Sequence, residues 1–209
     1  MNNPFAISTR LRAKVTYIDQ SKIVVIDDIF ANPEAAIADI LSHPADWNKP
    51  TMRGMNGIKF EDRRHRYKAQ LNDLLTVGSR LSGQQPSFPD EVITNYTLLY
   101  DDLFNDYKNN YWWPHVDLGY NAIVYLNHYE GPGTNLFNPV LPRHPREKEH
   151  IQPWNPREHW ELVTTIQAKY NRLVLFDGQK FYHSMAIEDR TWFEQRRLNI
   201  VQFFKQVDQ

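Results

Sequence analysis

The sequence predicts a mainly β fold with supporting helices: an antiparallel sandwich or barrel with N-terminal α-helices packed on it. Three observations predict it. From residue 91 the chain turns to short runs rich in β-branched and aromatic residues. Turn formers separate several of these runs, notably Leu118-Gly119, Glu130-Gly131-Pro132-Gly133 and Asp177-Gly178. Before residue 90 the apolar residues fall at helical spacing instead. Seven or eight short strands split by turns fit a double-stranded β-helix, or jelly roll, best.

The elements follow in order. Lys22-Ile23-Val24-Val25-Ile26 is a short β run ended by Asp27-Asp28. Asn32-Pro33-Glu34 opens a helix, with Asn32 as N-cap and Pro33 in the first turn. Its apolar face is Ala36, Ile37, Ile40 and Leu41, and Pro44 stops it. A second helix is expected over residues 66 to 82 on the stripe Tyr67, Leu71, Leu74, Leu75 and Leu81. Glycine and proline at 83 to 89 mark the passage to the second half. Strands are then expected at Val92 to Tyr100, Trp112 to Asp117, Asn121 to Asn127, Asn135 to Phe137, Arg172 to Phe176, Lys180 to Met185 and Arg197 to Phe204. Residues 138 to 170 interrupt them. They are polar and proline-rich, then expected to be helical from Asn155-Pro156-Arg157-Glu158, with Trp160, Val163, Ile166 and Gln167 on one side.

The length, 209 residues, suits one domain: residues 1–90 as helical support with a lead-in strand, and 91–204 as the jelly-roll core carrying the 138–170 insertion. A formal net charge of -1 gives no electrostatic footprint for nucleic acid or a membrane surface. The basic runs Arg63-Arg64-His65-Arg66 and Arg143-His144-Pro145-Arg146 read as solvated faces. The absence of cysteine excludes disulfides, thiolate zinc sites, iron–sulfur clusters and cysteine nucleophiles. Any metal is therefore held by nitrogen and oxygen. The opening residues lack a signal peptide's apolar stretch and no run approaches membrane-spanning length, so a soluble, cytoplasmic protein is expected.

The chemistry centres on His115-Val116-Asp117 and the later His183. Two imidazoles and one carboxylate are the donors of a facial Fe(II) centre with open positions, although such ligands also hold Zn, Mn or Ni. A His-x-Asp is unspecific alone in a chain with eight histidines, and its β-rich surroundings give it weight. On a strand, residues two apart share a face, so His115 and Asp117 point together while Val116 points away. His128, His144, His150 and His159 read as ordinary polar residues.

Residues 91 to 204 resemble the Fe(II)/2-oxoglutarate-dependent oxygenase superfamily, particularly its prolyl-hydroxylase-like branch. His115-Val116-Asp117 resembles the family's His-x-Asp, and Ala122 to Asn127 its following strand ending Tyr-Leu-Asn. Glu130 to Thr134 resembles its Gly-Gly-x-Thr turn, with Pro132 departing from the common form. Arg172 to Asp177 followed by His183 resembles the approach to the distal ligand, and Arg197-Leu198-Asn199-Ile200-Val201 the last core strand. The resemblance implies Fe(II) on His115, Asp117 and His183, with 2-oxoglutarate and O2 as co-substrates and succinate and CO2 as products. It implies a basic residue for the far carboxylate of 2-oxoglutarate, and a guanidinium matches a carboxylate bidentately. Arg197 is the expected residue, with Arg196 on the opposite strand face. Tyr125, and more weakly Tyr100, are expected to contact the same carboxylate. Asp117 implies a hydroxylase, since related halogenases replace that carboxylate with a small residue.

The substrate, a peptide, protein side chain or small molecule, is not legible. Tyr111, Trp112, Trp113, Trp154 and Trp160 suit either an aromatic rim or the core. The 138–170 insertion suits either a lid over the jelly-roll mouth or a brace on its outside. The competing function is a jelly-roll module that binds a ligand without turnover. A cupin-type site is disfavoured because the chain lacks its His-x-His with a later Glu.

Overall fold

The computed structural model describes residues 3–42, 73–74, 76–77, 80, 107–117, 119–140 and 154–203, and residues 58–62, 92–99 and 204 by backbone alone. The described residues are mainly β, with few helices. Strands run in chain order: β1 (Arg12–Ile18), β2 (Ser21–Asp27), β3 (Ile58–Asp62), β4 (Val92–Leu99), β5 (Asn110–Trp112), β6 (Tyr120–Tyr125), β7 (Gly131–Pro139), β8 (Trp154–Pro156), β9 (Trp160–Ala168), β10 (Arg172–Asp177), β11 (Tyr182–Met185) and β12 (Arg197–Phe204). Seven of them form one antiparallel sheet in the order β1-β2-β10-β6-β12-β4-β3. A smaller sheet has the order β11-β7-β9, and β5 pairs with β8. No helix among the described residues is long and apolar enough to cross a membrane.

The large sheet is covered on both faces, which is why its central strands are apolar nearly throughout. On one face Val24, Ile26, Ala122, Val124, Leu173, Leu175, Leu198 and Ile200 pack with Ala36 and Ile40 of helix α1 (Pro33–Ser42). On the other, Ile123, Tyr125, Val174, Phe176 and Val201 pack against Leu136, Ile166 and Phe181 of the small sheet and its approach. Single-residue alternation along β6, β10 and β12 separates the two cores. The inner face, toward the small sheet, carries the site described below.

Helix α1 begins as its sequence dictates. The Asn32 side chain accepts the Ala35 N–H at 3.1 Å, and Pro33 occupies the first turn, where no backbone donor is needed. Leu41, on the expected apolar face, is instead largely exposed. Of the stretch expected to be helical over 66 to 82, the described positions 73, 74, 76, 77 and 80 are helical.

Three expectations are corrected, and one strand is added. Residues 155 to 168 are not helical: after a 3-10 turn at Arg157–His159 they form β9, antiparallel to β7. Their spacing misleads because β9 is bulged. Leu136 pairs with Thr164 and Phe137 with Leu162, leaving Val163 as the extra residue. The bulge flips the strand's phase, so Trp160 packs beside Phe137 on one face of the small sheet while Val163 and Ile166 pack on the other, and the spacing of three that mimics a helix joins residues of two different faces.

Gly131 to Gly133 is likewise not a turn but the start of β7, with a second bulge at Gly133. The strand expected from Trp112 to Asp117 stops at Trp112, because Trp113 has φ 34° and breaks the extended run. Finally, β1 carries almost no buried residue, so burial patterning does not announce it. The turn joining it to β2 uses Asp19 and Gln20, both at positive φ, without the Asn-Gly that usually marks such turns.

Candidate metal centre and anion pocket

His115 and His183 face each other across an antiparallel bridge. The His115 N–H donates to the His183 carbonyl at 3.1 Å, and the His183 N–H to the His115 carbonyl at 2.8 Å. Residues that exchange both backbone bonds project their side chains to the same side. The two imidazoles therefore lie beside one another, ring centroids 4.5 Å apart. Two residues on, the Asp117 N–H donates to the Gly178 carbonyl and the Gly178 N–H to the Gly119 carbonyl. These bonds fasten the Asp117 segment to the turn between β10 and β11. The sharing of a face expected for His115 and Asp117 is thus achieved by two backbone attachments to the β10–β11 region, not by a continuous strand.

Each imidazole is oriented through its inner nitrogen. His115 Nδ1 lies 2.9 Å from the Trp113 carbonyl and His183 Nδ1 3.1 Å from the Phe181 carbonyl, so both Nδ1–H groups donate to backbone oxygen. That tautomer leaves Nε2 unprotonated on both rings, the arrangement a metal-binding histidine uses. The Trp113 indole stacks on the His115 ring at 4.5 Å and further fixes its plane.

One ring nitrogen of each histidine and an Asp117 carboxylate oxygen all lie within 4.8 Å of one another. His183 Nε2 is 2.9 Å from Asp117 Oδ2, and His115 Nε2 is 3.7 Å from it. Donors about 2.1 Å from one ion and at right angles stand about 3 Å apart. The His183–Asp117 edge already meets that condition, and His115 needs a small closure. His183 is buried while His115 and Asp117 are partly exposed, so the open side of the set faces their flank. Burial works to raise the Asp117 pKa, but the neighbouring His183 and His115 imidazoles and the Asn121 amide outweigh it and hold the carboxyl at about 2. Asp117 is therefore an anion throughout the neutral range. The donor chemistry fits a borderline divalent ion such as Fe(II).

Farther along the inner face lies a second polar pocket. Arg197, at the start of β12, is 7 % exposed, and among the described residues no carboxylate lies within ion-pair distance of it. Its Nη2–H donates to the Gly133 carbonyl at 3.1 Å, its guanidinium lies 5.5 Å from the Tyr125 ring and 5.9 Å from that of Trp192, and its Nε has no hydrogen-bond partner. Burial pulls its pKa down against the pull of Tyr125, yet a guanidinium keeps its charge. Tyr125 Oη shares a 2.6 Å hydrogen bond with Thr134 Oγ1, and burial pushes its pKa up. Asn199, opposite Tyr125 on β12, has a buried Oδ1 without a partner. A buried cation with an unmet Nε–H suits an anionic ligand, whereas the Asn199 Oδ1, an acceptor, calls for a donor.

The bulge at Gly133 shapes this pocket. A Cβ there would stand 2.7 Å from the Ala168 backbone nitrogen and 2.9 Å from Tyr125 Oη, so only glycine allows the strands and the phenol to close so near. Thr134, on β7 of the small sheet, links this group to the metal set. His183 pairs with Leu136 and Met185 with Thr134, which places Thr134 two residues, roughly 7 Å, from His183 along the strands.

The structure thus brings His115, Asp117 and His183 into one cluster, and Arg197 and Tyr125 into another. Tyr100 lies outside the described residues. Arg196 precedes β12 and is partly exposed, and its carbonyl accepts from Asn127. Of the aromatic candidates, Tyr111 and Trp160 pack with Phe137, while Trp112 packs with Ile187 and Trp192, so these three are core. Trp113 and Trp154 are partly exposed beside that second group. His128 and His159 are surface residues, and His144 and His150 lie outside the described residues. The sequence reading overlooked Asn121 and Asn199. Each sits on the inward phase of its strand, where an apolar residue is the rule, and that was the available signal.

No family model matches the chain, and no curated protein matches it. Solved structures do. One is an oxidoreductase of the 2OG-Fe(II) oxygenase family from Burkholderia pseudomallei, 11 % identical, over 94 % of this chain and 74 % of that one, with a TM-score of 0.36. A likeness of that size carries no weight by itself.

Proposed function

We propose that this protein is an Fe(II)- and 2-oxoglutarate-dependent dioxygenase, built on a double-stranded β-helix core, that hydroxylates a C–H bond of a peptide, protein side chain or small molecule. One observation carries the reading: a two-histidine, one-carboxylate donor set stands about two strand residues from Thr134, and the carbonyl of the adjoining Gly133 accepts from a buried guanidinium that has no acidic partner among the described residues. A short dicarboxylate that chelates a metal at one end and needs a cation at the other spans such a gap. Bound iron, 2-oxoglutarate and O2 supply the oxidising chemistry, with decarboxylation to succinate and CO2.

The chain's own residues have separate tasks. His115, Asp117 and His183 bind the ion from one side, leaving the other positions for exogenous ligands. Arg197 pairs with the far carboxylate, Tyr125 and Thr134 hydrogen-bond beside it, and the packed inner face excludes water. Purified protein supplied with Fe(II), ascorbate, 2-oxoglutarate and air should release succinate, and Asp117→Ala should not. Binding of 2-oxoglutarate without succinate release would instead mark a ligand-binding module.

A further inference from the structure

Asn121 is buried on the inner face of β6, at the edge of the donor set. Its amide nitrogen lies 2.7 Å from Asp117 Oδ2 and 2.9 Å from His183 Nε2. The amide's orientation is fixed by Asp117, because the flipped form would set a carbonyl oxygen against a carboxylate. With the His183 Nδ1–H given to the Phe181 carbonyl, Nε2 presents a lone pair, and the second Asn121 N–H donates to it. A metal ion at Nε2 takes that same lone pair. Loading the site therefore strips one N–H of its acceptor while the other keeps Asp117. The Oδ1 of the same amide is already buried without a partner. A buried amide left with an unmet donor and an unmet acceptor is costly, and an oxygen ligand arriving on the metal satisfies the donor.

We propose that Asn121 positions the co-substrate: the N–H released by metal loading donates to the carboxylate at the keto-acid end of 2-oxoglutarate, beside the His183–Asp117 edge. The proposal rests on the dioxygenase reading and adds a residue to it. Gly178 keeps the amide in place by lacking a side chain, since a Cβ there would come 3.0 Å from Asn121 Oδ1 and 2.9 Å from the Gly119 carbonyl.

The test is calorimetric titration of 2-oxoglutarate and, separately, succinate into protein saturated with Mn(II), which blocks turnover. Succinate shares the far carboxylate but has no keto-acid chelate. Asn121→Leu should weaken 2-oxoglutarate binding roughly 10- to 100-fold, the loss of one hydrogen bond to a charged group, and leave succinate binding unchanged. Asn121→Ser, which admits a water, should fall between wild type and Asn121→Leu, and it reads the same quantity if the leucine variant does not fold. Lower Mn(II) affinity with both ligands bound as by wild type once Mn(II) is saturating would show that Asn121 only supports Asp117, and would overturn the proposal. Equal losses for both ligands would overturn it as well. Wild-type protein that fails to bind 2-oxoglutarate in the presence of Mn(II) would overturn the dioxygenase reading itself.

Discussion

Arg197 is expensive to the fold. A guanidinium removed from water, with no carboxylate partner among the described residues, pays desolvation that one carbonyl and two ring faces only partly offset. Arg197→Met, similar in reach and without charge, should therefore leave the ligand-free protein at least as stable, measured by thermal melting. The same change should weaken 2-oxoglutarate binding by about 2–4 kcal/mol. Arg196→Ala should do far less in both measurements, and equal effects would assign the pocket to the wrong residue. Gly133 is the complementary case. Gly133→Ala drives a Cβ into the Ala168 backbone, so urea unfolding should show a loss of about 1–3 kcal/mol along with weakened 2-oxoglutarate binding.

At the scale of elements, β9 decides what the 138–170 insertion is. Its last stretch pairs with β7 and buries Ile166 in the core beside the site, so residues 160 to 168 brace the sheet and are not part of a lid. Residues 141–153 lie outside the described residues. Ile166→Ala should cost about 2–5 kcal/mol in urea unfolding. Leu162→Ala, at a residue 40 % exposed, should stay within about 0.5 kcal/mol of wild type.

The same strand shows why legibility varied. β2 and β10 were readable because both their faces are buried and their apolar runs end at the turn residues Asp27-Asp28 and Asp177-Gly178. The bulges at Val163 and Gly133 shift phase by one residue, and nothing local announces them. The donor set was legible because two histidines and an aspartate are scarce together on β segments. Asn121 was not, because its role comes from contacts with residues at positions 117 and 183 that only the fold brings together.

Across the whole molecule, stability should depend on acid through Asp27. Arg172 Nε and Nη2 bind its two oxygens at 2.6 and 3.1 Å, joining β2 to β10. The Arg172 hydrogen bond outweighs the opposing effect of burial, and with the charges of Arg172 and Lys169 it lowers the Asp27 pKa below its ordinary value. A lowered carboxyl pKa contributes stability that is fully present above the unfolded value, about 3.9, and is lost as pH falls through the folded value. Asp27→Asn should therefore cost about 1 kcal/mol in urea unfolding at neutral pH, and the difference from wild type should shrink as the pH drops below about 4. A difference that stayed constant into acid would mean the ion pair contributes nothing.

The account depends most on one divalent ion held jointly by His115, Asp117 and His183. Calorimetric titration of Mn(II) or Co(II) into purified protein measures this directly, with circular dichroism to verify each variant's fold. Wild-type protein should bind one ion per chain, and His115→Ala, Asp117→Ala and His183→Ala should each abolish that binding while keeping the wild-type spectrum. Folded alanine variants that still bind the ion with wild-type affinity would contradict the account.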